Sequence, residues 1–176
     1  METKNKIIIL DFGGQYTHLL ARRVRDLNVY SKIMSPTSPL DELKNAKGII
    51  LSGGPQSVYD KEDAIAFNEK LFELGIPILG LCYGQQLIAH KLGGKVEKGK
   101  VKEYGQASLV IDDNLLFKDL PKEFSVWMSH GDKVKKLPIG FEKGGSTNDC
   151  EFAAIFNEEK RIYGLQFHPE VTHTEN

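Results

Sequence analysis

Cys82 is the residue of this sequence best placed to act as a nucleophile. It lies in the segment GLCYGQQ, directly after an apolar run, with Gly80 and Gly84 two positions to either side. A strand, a tight turn that requires small residues and a following helix form a nucleophile elbow, here with cysteine in place of serine. The helix N-terminus would favour an anion there, and the Tyr83 N–H would point to a developing oxyanion. A buried, inert thiol is the alternative, because free cysteines are common in protein cores.

A thiol nucleophile requires a base, and His168 is the candidate among the five histidines. It follows the apolar segment RIYGLQF and precedes Pro169 and Glu170. Residues two apart in extended backbone point to the same side, so Glu170 could bind one ring nitrogen of His168 while the other faces a thiol. Pro169 narrows this geometry because its ring fixes φ. Taken alone, the segment fits a strand-end histidine beside a surface glutamate; together with the elbow it predicts a Cys82–His168–Glu170 triad.

Zinc binding is the other chemistry that these residue types allow. Its ligands would be drawn from Cys82, His130, His168 and His173. No two of them have the close spacing of a known zinc motif, so the sequence predicts no metal site. The remaining histidines and cysteine are interpreted as structural or surface residues: His18, His90 and Cys150. The role of His173 stays open between packing near the triad and facing another domain.

The segment LSGGPQS at residues 51–57 is rich in backbone N–H groups and has two interpretations. It superficially resembles the SGGxDS loop of ATP pyrophosphatases, but Pro55 removes a donor and Gln56 replaces the aspartate. It also lacks the Gly-Lys-Ser/Thr ending of a P-loop. Alternatively, the Gly54 N–H is the second oxyanion donor opposite Tyr83, since elbow enzymes draw one donor from a separate loop. A simple turn would leave two glycines before a proline unexplained.

The elements that must position these residues alternate between strand and helix in the first half of the chain. Apolar runs predict strands at 7–12, 29–34, 48–51 and 76–81, and helical spacing predicts helices at 15–28, 63–74 and from Cys82 to Gly93. Shorter strands follow at 106–112, 124–128, 152–156 and 161–167, the last two as a hairpin. The expected fold is α/β: a mostly parallel central sheet with helices on both faces, plus a C-terminal antiparallel or mixed extension. We expect one domain over residues 1–176.

Composition excludes several classes of function. The formal net charge is −1 and no block of Lys and Arg is present, which argues against nucleic-acid binding. The cluster Arg22, Arg23 and Arg25 fits a solvated helix face. No apolar stretch approaches the roughly 20 residues that cross a bilayer, and the N-terminus lacks the pattern of a signal peptide. With two cysteines and no disulfide framework, we expect a reducing, cytoplasmic setting.

With SGGP, GLCYGQQ and FHPE in this order, the sequence resembles class I, triad-type glutamine amidotransferase domains over essentially its whole length. The family has a flavodoxin-like fold. The segments DFGGQYTHLLARRVR, SHGDKV and HPEVTHT make the chain similar to the glutaminase portion of the GMP synthetase family. They fit less well with the glutaminases of carbamoyl-phosphate, anthranilate or CTP synthesis.

The resemblance implies that Cys82 attacks the side-chain amide of L-glutamine, with His168 and Glu170 as base and orienter. Gly54 and Tyr83 would hold the oxyanion through their N–H groups. The implied glutamine-binding residues are Gly53, Gln86, Ser129, His130, Gly131 and Asp132. The resemblance implies no cofactor or metal in this chain. A cysteine peptidase or γ-glutamyl hydrolase, or a non-catalytic binding module, are the alternatives.

The resemblance to the GMP synthetase family implies that the ammonia is delivered to a separate ATP-pyrophosphatase (synthetase) domain, which binds ATP, Mg²⁺ and XMP. Nothing in this sequence offers an intact pyrophosphatase loop or GxxxxGK[ST], so that domain would be a partner. The chain ends six residues beyond Glu170, which suggests an excised domain or a subunit of a split enzyme. If that partner is needed to position the oxyanion loop or His168, the chain alone is expected to show low basal glutaminase turnover.

Overall fold

The computed structural model describes residues 6–60 and 65–176, which form strands, helices and short 3₁₀ turns. The strands are β1 (Lys6–Leu10), β2 (Tyr30–Met34), β3 (Gly48–Leu51), β4 (Ile78–Leu81), β5 (Lys95–Ile111), β6 (Glu123–Lys136), β7 (Glu142–Ser146), β8 (Ala154–Asn157) and β9 (Ile162–Leu165). The helices are α1 (Thr17–Asp26), α2 (Leu40–Leu43) and α3 (Tyr83–Lys91), with 3₁₀ turns at Glu69–Glu73 and Leu115–Phe117. No helix within the described ranges is long and apolar enough to span a membrane.

Within the described residues, nine strands form one sheet in the order β2-β1-β3-β4-β9-β8-β7-β5-β6. The strands from β2 to β9 in this order pair in parallel, and those from β9 to β6 pair antiparallel. The predicted parallel sheet with an antiparallel extension is therefore confirmed, with the extension continuous with the parallel part. Because β4 lies between β3 and β9, the residue that follows β4 is placed at the carboxyl edge of the parallel strands.

The two faces of the sheet are covered by different helices. Ile8 of β1 belongs to the same buried cluster as Leu87 and Ile88 of α3. The adjacent Ile9 packs in the other cluster with Leu20 of α1. Successive side chains of a strand point to opposite faces, so α1 and α3 lie on opposite sides of the sheet, as predicted.

The predicted helix at 63–74 is wrong for the part that the structure describes, and residues 61–64 lie outside that part. Residues 65–68 have no helical backbone, and Glu69–Glu73 forms a 3₁₀ turn capped by the Asn68 side chain. Ile65 and Phe67 nevertheless pack against the core. The apolar spacing in this segment therefore indicates which side chains are buried, and an irregular backbone can bury them as well as a helix can.

The second half contains longer strands than the sequence predicted. β5 and β6 extend well beyond 106–112 and 124–128, and they pair with each other over most of their length. The added β5 residues are rich in Lys, Glu and Gly, which have low strand propensity, so backbone pairing with β6 overrides local preference. The β8–β9 hairpin is confirmed, whereas β7 and α2 were not predicted.

Candidate active site

The strand–turn–helix geometry predicted around Cys82 is present in the structure. Cys82 lies between β4 and α3 with φ 52° and ψ −105°, a backbone conformation that L-residues rarely adopt. Its N–H donates to the Leu165 carbonyl of β9 over 2.7 Å, which holds the turn against the sheet. A Cβ on Gly80 would lie 2.5 Å from the Gly84 carbonyl carbon, so the two glycines allow strand and helix to approach closely. Such strain at a turn is typical of a site that must present a side chain.

His168 and Glu170 form the predicted pair beside the elbow. The Nδ1 atom of His168 lies 2.8 Å from Glu170 Oε1, and both side chains are buried. The ring also interacts with Cys82 through a hydrogen bond and through charge. The two side chains lie close together, since a Cβ on Gly53 would touch both His168 Cε1 at 3.3 Å and Cys82 Cβ at 3.8 Å. The three triad side chains therefore meet as the sequence predicted.

The backbone that brings His168 and Glu170 together is not the extended strand that we predicted. β9 ends at Leu165, and Pro169 and Glu170 lie in a turn. The chain leaves β9 to follow β6, where the His168 N–H donates to the Trp127 carbonyl. The expected contact forms because the turn, rather than strand alternation, points both side chains the same way.

The electrostatics of the site favour a protonated His168. Burial alone would lower the pKa of His168, but hydrogen bonds and charge interactions with Cys82 and Glu170 outweigh it and raise this pKa to about 10. The folded state thus binds the proton more tightly than the unfolded chain, whose histidine pKa is near 6.5. This stabilisation is complete below about pH 6.5 and is lost as the pH rises through about 10.

We expect the Cys82→Ala variant to lower the pKa of His168. The substitution removes a hydrogen bond and a charge interaction that raise it, while Glu170 remains in contact. A histidine NMR titration of the wild type and the variant measures the change. The Cys150→Ala variant is the control, because Cys150 is not among the groups that shift the pKa of His168. An unchanged His168 titration would contradict the contact between Cys82 and the imidazole.

The SGGP loop packs against the end of β1 and reaches the elbow. Ser52 Oγ accepts from the Phe12 N–H and donates to the Gly53 carbonyl, each over 2.9 Å. A Cβ on Gly54 would lie 2.6 Å from the Phe12 carbonyl oxygen and 3.3 Å from Tyr83 Cγ. Glycine is therefore required at this position, and Gly54 lies beside Tyr83, as a pair of oxyanion donors would need.

Four of the residues predicted to bind the substrate, Ser129 to Asp132, belong to β6 and lie opposite the elbow. The Ser129 carbonyl lies 3.6 Å from Cys82 Sγ. Gln86 Nε2 donates to the Asp132 carbonyl over 2.9 Å and to Gln166 Oε1 over 3.1 Å. The Asp132 carboxylate accepts from Ser57 and, over 3.0 Å, from the Tyr59 hydroxyl. Gln86 thus uses its amide N–H groups to hold β6 in place.

Both ring nitrogens of His130 bind protein atoms. Nδ1 lies 2.9 Å from the Asp132 carbonyl oxygen, and Nε2 lies 3.0 Å from Glu103 Oε2. Since the ring leaves no nitrogen for a ligand, contact of His130 with a substrate would have to come from its backbone. Glu103 also accepts from the Thr147 hydroxyl over 2.7 Å.

These elements enclose a cavity of about 520 Å³, within the range of roughly 300–1,000 Å³ typical of small-molecule sites. Its walls include Tyr16, whose ring meets the His168 ring edge-on at 5.2 Å. All predicted site residues line the cavity: Gly53, Gly54, Cys82, Tyr83, Gln86, Ser129, His130, Gly131, Asp132, His168 and Glu170. The sequence-predicted set is therefore brought together in one place.

Several residues that hold the site in place were missed by sequence reasoning. Arg23 donates from Nε to the Glu170 carbonyl over 3.0 Å, across 147 positions of sequence. Thr174 donates to the His168 carbonyl over 2.6 Å. Ser57 and Tyr59 bind Asp132 from more than 70 positions away. No local pattern marks such pairs, although Ser57 lies in the loop that was singled out.

Of the described residues, one set has donor atoms close enough for a metal ion: those of Glu103, His130 and Cys150 lie within 4.8 Å of one another. Glu103 and His130 already bind each other. Burial, with the nearby Glu103 charge, raises the pKa of Cys150 to about 12, so its thiol is protonated. The set fits a hydrogen-bonded cluster, and Cys150 has the structural environment predicted for it.

His173, whose role the sequence left open, is exposed, and its ring packs against Trp127 with the ring centroids 4.5 Å apart.

A cysteine elbow at the carboxyl ends of parallel strands, beside a buried His–Glu pair, is typical of α/β enzymes with a catalytic triad. The family model for class I glutamine amidotransferases matches residues 8–176, and the chain belongs to that family. It is 52% identical over 180 residues to the glutamine-hydrolysing GMP synthase of Ligilactobacillus salivarius, covering 99% of this chain and 35% of the relative. The corresponding enzyme of Neisseria meningitidis is 53% identical over 178 residues, covering 98% and 34%. The chain thus spans about a third of these relatives.

Solved structures show the same fold. A putative GMP synthase subunit from Thermoplasma acidophilum superposes with a TM-score of 0.86 at 34% identity, covering 99% of this chain and 89% of that one. A glutamine amidotransferase from Thermotoga maritima superposes with a TM-score of 0.78 at 25% identity, covering 97% and 78%. The flavodoxin-like amidotransferase fold expected from the sequence is confirmed.

Proposed function

We propose that the chain hydrolyses L-glutamine to glutamate and ammonia through a thioester on Cys82. The observation that carries this proposal is the position of Cys82 at the strained elbow, facing the buried His168–Glu170 pair inside the cavity. Membership of the amidotransferase family and the names of its relatives support glutamine as the substrate.

In the first half-reaction, the Cys82 sulfur attacks the side-chain amide carbon of glutamine. His168, as an imidazolium, already holds the proton of the Cys82 thiol and delivers it to the amide nitrogen, which leaves as ammonia when the C–N bond breaks. Glu170 holds Nδ1 of His168, so that Nε2 is the atom that exchanges protons with sulfur and leaving group. The Gly54 and Tyr83 N–H groups stabilise the tetrahedral oxyanion.

In the second half-reaction, water attacks the glutamyl thioester carbon while His168 accepts a proton from it. The C–S bond then breaks and glutamate leaves. The proton that His168 accepted from water stays on the Cys82–His168 pair, which restores the starting state of the site. The Ser129 carbonyl, which lies near Cys82, and the Asp132 carboxylate, which lines the cavity, would contact the amino-acid end of the substrate. Gly53, Gln86, His130 and Gly131 complete the proposed glutamine-binding set.

The ammonia would be used by an ATP-dependent synthetase domain that aminates XMP to GMP, in a cytoplasmic setting. Support comes from the two GMP synthases, in which the matched region is about a third of the protein. ATP and Mg²⁺ would be bound by that partner, and we propose no cofactor for this chain. Basal turnover of the chain alone would be low if the partner completes the oxyanion loop.

A glutamine-shaped diazo-ketone tests the proposal on the 176-residue chain. We expect single labelling at Cys82, read by mass spectrometry of the intact protein and its peptides, and protection by excess glutamine. The Cys150→Ala variant is the matched control and should label identically, because Cys150 is fully buried. Labelling at Cys150, or labelling that glutamine does not block, would refute a glutamine pocket at Cys82. Protection by γ-glutamyl peptides but not by glutamine would indicate a γ-glutamyl hydrolase.

A further inference from the structure

The β6 backbone that borders Cys82 lacks regular strand pairing where it meets the cavity. β5 pairs with His130 through Glu103 and with Asp132 through Lys98, with a register shift between the two positions, so Gly131 has no partner in the described ladder. Where the ladder is interrupted in this way, strand pairing no longer fixes the orientation of the β6 backbone. Something besides the sheet must therefore hold residues 129–132 in place against the elbow.

Side chains supply this support at the Asp132 carbonyl. It receives the Gln86 amide over 2.9 Å and lies 2.9 Å from Nδ1 of His130. A carbonyl oxygen only accepts hydrogen bonds, so Nδ1 of His130 must carry a proton. The His130 ring thereby closes a small loop over residues 130–132, with Gly131 at its centre.

The other edge of the His130 ring is held by Glu103. Nε2 lies 3.0 Å from Glu103 Oε2, and Glu103 Oε1 accepts from Thr147. Burial alone would raise the pKa of Glu103, but its hydrogen bonds with His130 and Thr147 hold it below the usual value. The Glu103 carboxylate therefore holds the ring edge opposite the one that meets the Asp132 carbonyl. The other titratable groups facing this pair are Lys133 and Cys150.

We infer that Glu103 is a positioning residue for substrate binding: it holds the His130 ring in place, and this ring orients the Ser129–Asp132 backbone toward the substrate. The inference rests on the proposed glutaminase function. Glu103 acts through His130 and not through Cys82 or His168. Its loss should therefore weaken recognition of the glutamine skeleton and leave the reactivity of the triad nearly unchanged.

The test compares two alkylating reagents on the wild-type chain and on the Glu103→Ala and Glu103→Gln variants. For a glutamine-shaped diazo-ketone, we expect Glu103→Ala to raise the half-saturating concentration about tenfold, as loss of a charge-assisted hydrogen bond would. The rate at saturation, and the rate of Cys82 labelling by iodoacetamide, should change less than about threefold, because both depend on the triad. Glu103→Gln should fall between, since its side-chain amide can still form a hydrogen bond with Nε2 of His130.

A control variant and an NMR readout separate positioning from general damage. Glu97→Gln removes a carboxylate from the same strand that forms an exposed ion pair with Lys95, and it should match the wild type. In ¹H–¹⁵N spectra, the Nδ1–H signal of His130 should be protected from exchange in the wild type and should exchange faster in Glu103→Ala. The inference is overturned if both reagents slow equally, if neither slows, or if the Nδ1–H signal of His130 is the same in Glu103→Ala and the wild type. If the diazo-ketone fails to label wild-type Cys82, the proposed function fails instead, while the NMR readout still reports on His130.

Discussion

Replacing Cys82 with alanine is expected to reduce glutamine hydrolysis by at least about a thousandfold, because the acyl intermediate requires the thiol that faces His168. The fold should survive, since the side chain is small and its main structural contact, from the backbone N–H to Leu165, is retained. A serine at this position should also be nearly inactive, because a hydroxyl is a much weaker nucleophile than a thiolate at neutral pH.

Glutamate formation at high protein concentration measures this effect, and calorimetric titration with glutamine measures binding. The Cys82→Ala variant should still bind glutamine, because the groups proposed to recognise the substrate are untouched. Cys150→Ala is the paired control for removal of a thiol and should keep its activity within a few-fold. Substantial glutamate formation by Cys82→Ala would show that the reaction does not pass through a Cys82 thioester.

The strands β1, β3 and β4 of the first half were predictable because they lie inside the sheet and are mostly buried on both faces. Residues 7–10 of β1 and 48–51 of β3 are continuous apolar runs, a pattern typical of parallel strands that are covered on both faces. β5 gives no such signal: many of its residues are exposed, and its pairing with β6 is a tertiary contact. Strand propensity reflects the packing of a half-buried surface, which a single sequence does not display.

Within the site, the predictable part is the local part. The elbow requires glycines at fixed offsets from Cys82, and His168 and Glu170 are two residues apart, so short segments carry both signals. Glu103 is different: it acts through His130, 27 positions away, and reaches Thr147 across 44 positions. The sequence marked His130 as a substrate contact, whereas the structure shows its ring committed to Glu103 and to the Asp132 carbonyl.

The Gly84→Ala substitution is expected to destabilise the protein and misplace the nucleophile, although alanine is the better helix former. Helix propensity alone would stabilise α3 by up to about 1 kcal/mol. The added Cβ, however, would lie 2.8 Å from Leu51 Cβ and closer still to the Leu51 carbonyl oxygen. β3 lies inside the sheet and cannot yield, so α3 must move, at a cost of about 1–3 kcal/mol or more. The steric cost outweighs the gain in propensity.

The displacement of α3 has a functional consequence larger than the loss of stability. Cys82 and Tyr83 lie at the N-terminus of this helix, and a shift of about 1 Å at a reacting group can cost roughly a hundredfold in rate. Urea unfolding measures the stability change, and the rate of diazo-ketone labelling of the folded protein measures the functional one. His90→Ala, at an exposed position of the same helix, should leave both unchanged. If Gly84→Ala were as stable and as reactive as the wild type, the close packing of α3 on β3 would not be what places Cys82 for attack.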